Sequence, residues 1–211
     1  MTNLTSGIYP ASMSVLNNDL SLNAPQTVQH AEKLISFGCE GAILGGTTGM
    51  SAYLSIQDKM NLIEEAGKSS QKEKMIIGPG TTSLLDTASL INFAKSKGLN
   101  RFLCQPCAYG WPGIKNKDEA IYSYFSALLK RTGTSEFIFY NFPKLVGVDF
   151  SVEVIERLVH SYKNVFIGLK DSGSDDLYKK IKIKNFKVFV GSEKKLESSL
   201  KEDYSGGLIS A

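Results

Sequence analysis

An ammonium group is out of place directly after an apolar run, yet Lys170 closes the stretch Val165-Phe-Ile-Gly-Leu-Lys170. Such groups are rarely buried without a partner. Where one is buried, lost hydration disfavours the charged form, lowers the pKa and frees the neutral amine to attack a carbonyl. The resulting imine draws electrons from a neighbouring C–C bond, which can then break or form. The plainer alternative is a rim lysine with its head in water, with Asp171 as a surface ion-pair partner.

Other residues of chemical interest lie at comparable places. Tyr140 ends the run Phe137-Ile-Phe-Tyr-Asn141 and is a candidate general acid–base, although an aromatic in a strand also serves as core. In Gly45-Gly-Thr-Thr-Gly49, two hydroxyls lie among glycines. That loop could present backbone N–H groups to a carboxylate, or be no more than a tight turn. Gly191-Ser-Glu193 and Ile209-Ser210 close two further apolar runs. Cys104-Gln-Pro-Cys107 lacks a second ligand pair and straddles a strand end, so metal or redox function is not expected. With only His30 and His160 present, a serine–histidine–acid triad has no supporting motif. Gly206-Gly207 resembles a phosphate loop, but nothing before it binds anions.

These residues need a scaffold that gathers strand ends. Eight short apolar runs recur along the chain: Gly7-Ile-Tyr-Pro, Gly41-Ala-Ile-Leu-Gly-Gly46, Met75-Ile-Ile-Gly-Pro, Arg101-Phe-Leu-Cys-Gln, Phe137-Ile-Phe-Tyr-Asn141, Val165-Phe-Ile-Gly-Leu-Lys170, Phe186-Lys-Val-Phe-Val-Gly191 and Gly206-Gly-Leu-Ile-Ser210. Helical periodicity is predicted between them at residues 24–37, 55–69, 82–97, 118–131 and 151–160. Ser55 and Ser151 are predicted N-caps, and Gly98 and Gly133 fall where helices end. Continuously apolar strands that alternate with helices imply a parallel sheet covered on both faces, and eight of them imply an α/β (β/α)8 TIM barrel. A doubly wound open sheet would carry a glycine-rich turn after its first strand, and Gly7-Ile-Tyr-Pro-Ala-Ser has none. Barrel active sites lie at the C-terminal strand ends, where Lys170, Tyr140, Thr47, Thr48, Gly191 and Ile209 all fall. The whole stretch, residues 1–211, reads as one catalytic barrel that stops after its eighth strand without a last helix.

Composition narrows the function classes. A net charge of +3 with scattered lysines gives no basis for nucleic-acid binding. No apolar run is long enough to span a bilayer, and the first residues lack the pattern of a secretory signal. Three cysteines and no export signal suit a reducing cytoplasm.

Gly46-Thr-Thr-Gly, Tyr140-Asn-Phe-Pro and Gly168-Leu-Lys-Asp, in that order and spacing, resemble the N-acetylneuraminate lyase / dihydrodipicolinate synthase family of Schiff-base aldolases. The resemblance implies that Lys170 forms an imine with pyruvate or another 2-oxo acid and that Tyr140 shuttles protons. It implies that Thr47 and Thr48 bind the carboxylate, that Ile209 lines the site through its carbonyl, and that Gly191 belongs to the substrate-binding set. Tyr109 corresponds to the family's second tyrosine, in a loop one residue longer than usual. No cofactor or metal is implied, and family members are usually homotetramers with a C-terminal helical domain, which is missing here. Where synthase members carry an arginine after the Tyr-Asn-x-Pro motif, this chain has Leu145. Together with Gly46-Thr-Thr-Gly-Met-Ser-Ala-Tyr, this resembles 2-keto-3-deoxygluconate aldolases. The expected reaction is cleavage or formation of a 2-keto-3-deoxy sugar acid. A dihydrodipicolinate synthase, a dehydratase and a non-catalytic family member remain the alternatives.

Overall fold

The computed structural model describes residues 4–173, 176–202 and 204–208, apart from the side chain of Tyr178. Eight parallel strands form one curled sheet in the order β1-β8-β7-β6-β5-β4-β3-β2. They are β1 (Gly7–Ile8), β2 (Ala42–Leu44), β3 (Met75–Ile77), β4 (Arg101–Cys104), β5 (Glu136–Asn141), β6 (Phe166–Asp171), β7 (Lys187–Val190) and β8 (Gly206–Gly207). The sheet curls until its ends touch. A parallel bridge joins Ala11 to Ile43, with Ser12 N donating to Ile43 O at 2.9 Å and Ile43 N to Pro10 O at 2.8 Å. The architecture is TIM-barrel-like.

Apolarity on both faces of each strand builds two cores. Ile43, Ile76, Leu103, Ile138 and Phe189 meet inside the curl with Leu4, Tyr9 and Leu208. Their alternates, among them Leu44, Ile77, Phe102, Phe139 and Val190, pack outward against the helices. Each such side chain contributes on the order of 1.5–3 kcal/mol when fully buried.

The helices are α1 (Ala24–Ser36), α2 (Ile56–Lys68), α3 (Leu84–Ser96), α4 (Lys117–Thr132), α5 (Pro143–Val146), α6 (Val152–Ser161) and α7 (Leu196–Lys201). Their starts follow side-chain chemistry. Ser55 and Asp58 form a reciprocal capping box at α2, and Ser151 Oγ accepts from Val154 N at 3.0 Å at α6. Gly133 ends α4 at φ +67°, and Gly98 follows α3 at φ +82°. The short α5 was not anticipated; Pro143 in its first turn presets the backbone. The expected strict alternation of strand and helix fails between β6 and β7, where the described residues contain only a 3-10 turn at Leu177–Lys179. Gly206 proves to be a packing requirement: at φ +125°, a Cβ there would stand 2.1 Å from Gly7 O on the adjacent strand.

Candidate active site

The site begins with an irregularity in β6. Phe137 pairs with Phe166, but Ile138 pairs with Gly168, so Ile167 is an extra residue in the ladder. Ile167 packs against the interior cluster, and a Cβ on its neighbour Gly168 would meet Lys187 O at 2.7 Å and Leu4 Cδ2, of the same cluster, at 3.4 Å. Strand side chains alternate faces, so a one-residue insertion exchanges the faces of everything after it. With the bulge, Tyr140 pairs with Lys170, which pairs in turn with Phe189, and all three share the inner face. The register is held from outside by rings: Phe139 stacks on Phe166 with centroids 4.4 Å apart, and Phe125 meets both edge-on at 5.2 and 5.7 Å.

Lys170 is therefore buried, at 5% exposure, with Nζ 4.6 Å from the centre of the Tyr140 ring. Burial pushes its pKa down to about 8, while the negative charge of Glu193 acts in the opposite direction. Tyr140 is as deeply buried, and lost hydration raises its pKa. Hydrogen bonds from Thr47 and Ser172 partly offset that rise. Thr47 Oγ1 and Tyr140 Oη share a hydrogen bond at 3.2 Å, and Thr47 itself is exposed, so the phenol has a hydroxyl path towards solvent. The amine, the phenol and the threonine hydroxyl form one contiguous set at the C-terminal strand ends.

Behind this set lies a polar layer that the sequence did not reveal as such. Asn141 and Asp171, both almost fully buried, pair across β5 and β6 through Asn141 Nδ2 donating to Asp171 Oδ1 at 2.9 Å. Asp171 Oδ1 also accepts from Gly173 N at 3.0 Å, and Asn141 Oδ1 accepts from Phe150 N at 3.3 Å. These bonds fix the turn that carries Ser172, and Asp171 is buried rather than at the surface. Gly191 N donates to Asp171 O at 2.8 Å, and a Cβ on Gly191 would lie 1.9 Å from Ser172 Oγ. The missing side chain at residue 191 thus makes room for the hydroxyl that reaches Tyr140. The signal for Ser172 was its place two residues beyond Lys170.

Thr48 is half-buried beside Thr47. Tyr109, after β4, holds a left-handed backbone at φ +67° and is 83% exposed. Ile209 lies outside the described residues. Burial raises the pKa of the Cys104 thiol, and Cys107 is half-buried. Among the described residues, no group of three or more His, Cys, Asp or Glu could hold a metal ion, and no helix is long and apolar enough to cross a membrane.

Known proteins similar to this chain are relatives of one enzyme family. The 4-hydroxy-tetrahydrodipicolinate synthase of Hydrogenobaculum sp. (strain Y04AAS1) is 32% identical over 169 residues, which are 77% of this chain and 57% of that protein. The chain spans similar shares, 58% and 55%, of two further curated relatives. Among solved structures, a 2-keto 3-deoxygluconate aldolase from Picrophilus torridus matches with a TM-score of 0.87 at 22% identity, covering 98% of this chain and 74% of that one. A prophage protein of the dihydrodipicolinic acid synthase family from E. coli K12, solved in complex with pyruvate, matches with a TM-score of 0.86 at 24% identity, covering 98% and 70%. At these identities the structural likenesses speak for the fold alone. The model of the dihydrodipicolinate synthetase family matches residues 4–211, and the chain belongs to that family.

Proposed function

We propose that this chain carries the active site of a class I aldolase or lyase that joins Lys170 to pyruvate, or a related 2-oxo acid, as an imine. The observation that carries the reading is the buried Lys170 amine beside the Tyr140–Thr47 hydroxyl pair. The neutral amine adds to the keto carbon, and the carbinolamine loses its hydroxyl as water with a proton supplied by Tyr140. In cleavage, Tyr140 then takes the proton of the C4 hydroxyl as the C3–C4 bond breaks. An aldehyde leaves, and the bond's electron pair remains on the nitrogen-linked carbons as an enamine. Protonation at C3 and addition of water release pyruvate and the free amine. Thr47 exchanges the Tyr140 proton with solvent, and Thr48 and the neighbouring backbone N–H groups receive the carboxylate.

A 2-keto-3-deoxy sugar acid is the favoured substrate. Leu145, 53% exposed in α5, offers no cation where synthase members hold a second carboxylate. The second reading, 4-hydroxy-tetrahydrodipicolinate synthesis, is favoured by the name of the Hydrogenobaculum relative. A cytoplasmic homo-oligomer, a tetramer by resemblance, belongs to the same proposal, and Tyr109 stands at a surface open to such an assembly. Incubation with pyruvate and borohydride followed by peptide mapping is expected to place a reduced adduct on Lys170. A folded chain without that adduct refutes the reading. An aldehyde panel that includes aspartate semialdehyde then separates the two substrates.

A further inference from the structure

Lys59, in the second turn of α2, is 6% exposed, yet it lies outside the site just described. The other buried cations have evident reasons. Arg101 pairs with Glu136 at 2.7 Å, and Lys170 is the proposed imine former. Lys59 Nζ donates to a backbone carbonyl, Gly80 O, at 3.0 Å. Asp86, in the first turn of α3, adds a favourable field that opposes the cost of burial. A desolvated ammonium is expensive, so what it holds is informative.

What it holds is the loop after β3, and that loop supports the threonine loop without intervening side chains. Gly78 N donates to Leu44 O at 2.8 Å. A Cβ on Gly78 would lie 2.6 Å from Gly45 O, and one on Gly45, at φ +69°, would lie 3.0 Å from Gly78 O. The two backbones are thus in direct contact where the chain turns toward Thr47. Beyond Gly80, the turn into α3 is tied by Thr81 Oγ1 to Ser83 O at 2.7 Å and by Thr81 N to Thr87 Oγ1 at 3.2 Å. From the other side, Ser14 Oγ donates to Gly49 O at 2.6 Å.

We infer that Lys59 is a positioning residue for the substrate carboxylate: its buried ammonium pins Gly80, so that Gly78 and Gly45 hold Thr47 and Thr48 in place. This rests on the imine-forming reading of the site. Lys59→Met keeps the volume and removes both the donor and the buried charge, with the desolvation cost that the charge carries. Lys59→Gln returns an N–H donor.

The test combines two measurements on the full chain. One is hydrogen exchange at the amides of residues 46–48. The other is the pyruvate concentration that half-saturates borohydride trapping at Lys170. Lys59→Met is expected to speed the exchange and raise the half-saturating concentration by about fivefold each, the worth of one lost hydrogen bond. Lys59→Gln should stay within about twofold of the parent, because an amide donor replaces most of what was removed. Unchanged exchange in the Met variant overturns the inference, as does a Gln variant perturbed as much as Met. If the parent chain traps no pyruvate, the proposed function falls, while the exchange measurement still decides whether Lys59 braces the threonine loop.

Discussion

Replacing Lys170 by methionine should make the protein more stable at neutral pH while abolishing imine formation. The amine's pKa drops from the ordinary lysine value of 10.5 to about 8, mainly through burial. At about 1.36 kcal/mol per unit, the folded state carries a penalty of about 3 kcal/mol for holding this proton. Below about pH 8 the folded and unfolded states are both protonated, so the penalty is fully present. Between about pH 8 and 10.5 the folded state releases the proton and the unfolded state retains it, so stability rises with pH. Above that window both forms are neutral and the penalty is gone. Lys170→Met should therefore gain up to about 3 kcal/mol at pH 7, fading as pH climbs toward 10.5. Denaturant unfolding of both proteins across this range measures the difference. A variant less stable than its parent at pH 7, or a gain that does not change with pH, refutes the account. The same shift serves chemistry. At pH 7 about one amine in ten is neutral, against about one in three thousand at the ordinary lysine value.

Two further outcomes follow from the same geometry. Tyr140→Phe keeps the ring beside Lys170 and removes the hydroxyl bonded to Thr47. Turnover should fall by about 10²–10⁴-fold and borohydride trapping at Lys170 should slow without being lost, because the amine remains; a variant with parental turnover would exclude Tyr140 as the proton carrier. Gly191→Ala places a methyl 1.9 Å from Ser172 Oγ, and overpacking of that kind costs about 1–3 kcal/mol. Thermal unfolding should show the loss, and Ser172→Gly in the same chain should recover most of it.

Much of the scaffold was legible because its signals are local. Ser55 with Asp58, and Ser151 before Val152, mark helix starts through side chains that satisfy the first free amides. Runs such as Met75-Ile-Ile suit strands covered on both faces, and all three residues are buried. The placement of Lys170, Tyr140 and Thr47 at strand ends followed from the same pattern. The roles of Gly191, Asn141 and Asp171 did not, because each depends on a neighbour across the sheet. Residue 191 is glycine because Ser172 Oγ needs the space, and no spacing within β7 expresses that. Tyr109 shows the opposite limit, since its sequence position suits the reaction while its side chain stands in solvent.

The least legible feature decides which way the lysine faces. Phe166 lies in the outer core, so uninterrupted alternation would turn residue 168 and then Lys170 outward, into the layer beneath the helices. Ile167 breaks the alternation, and both Ile167 and Gly168 face the interior. An apolar residue followed by glycine suits such a step, because a Cβ at residue 168 would stand 2.7 Å from Lys187 O on the adjacent strand. The run Val165-Phe-Ile-Gly-Leu-Lys170 is apolar throughout, so a regular and a bulged strand read alike in sequence. What distinguishes them is the outer ring packing of Phe139 on Phe166, which fixes β5 against β6 before the extra residue and leaves the bulge to bring Lys170 beside Tyr140.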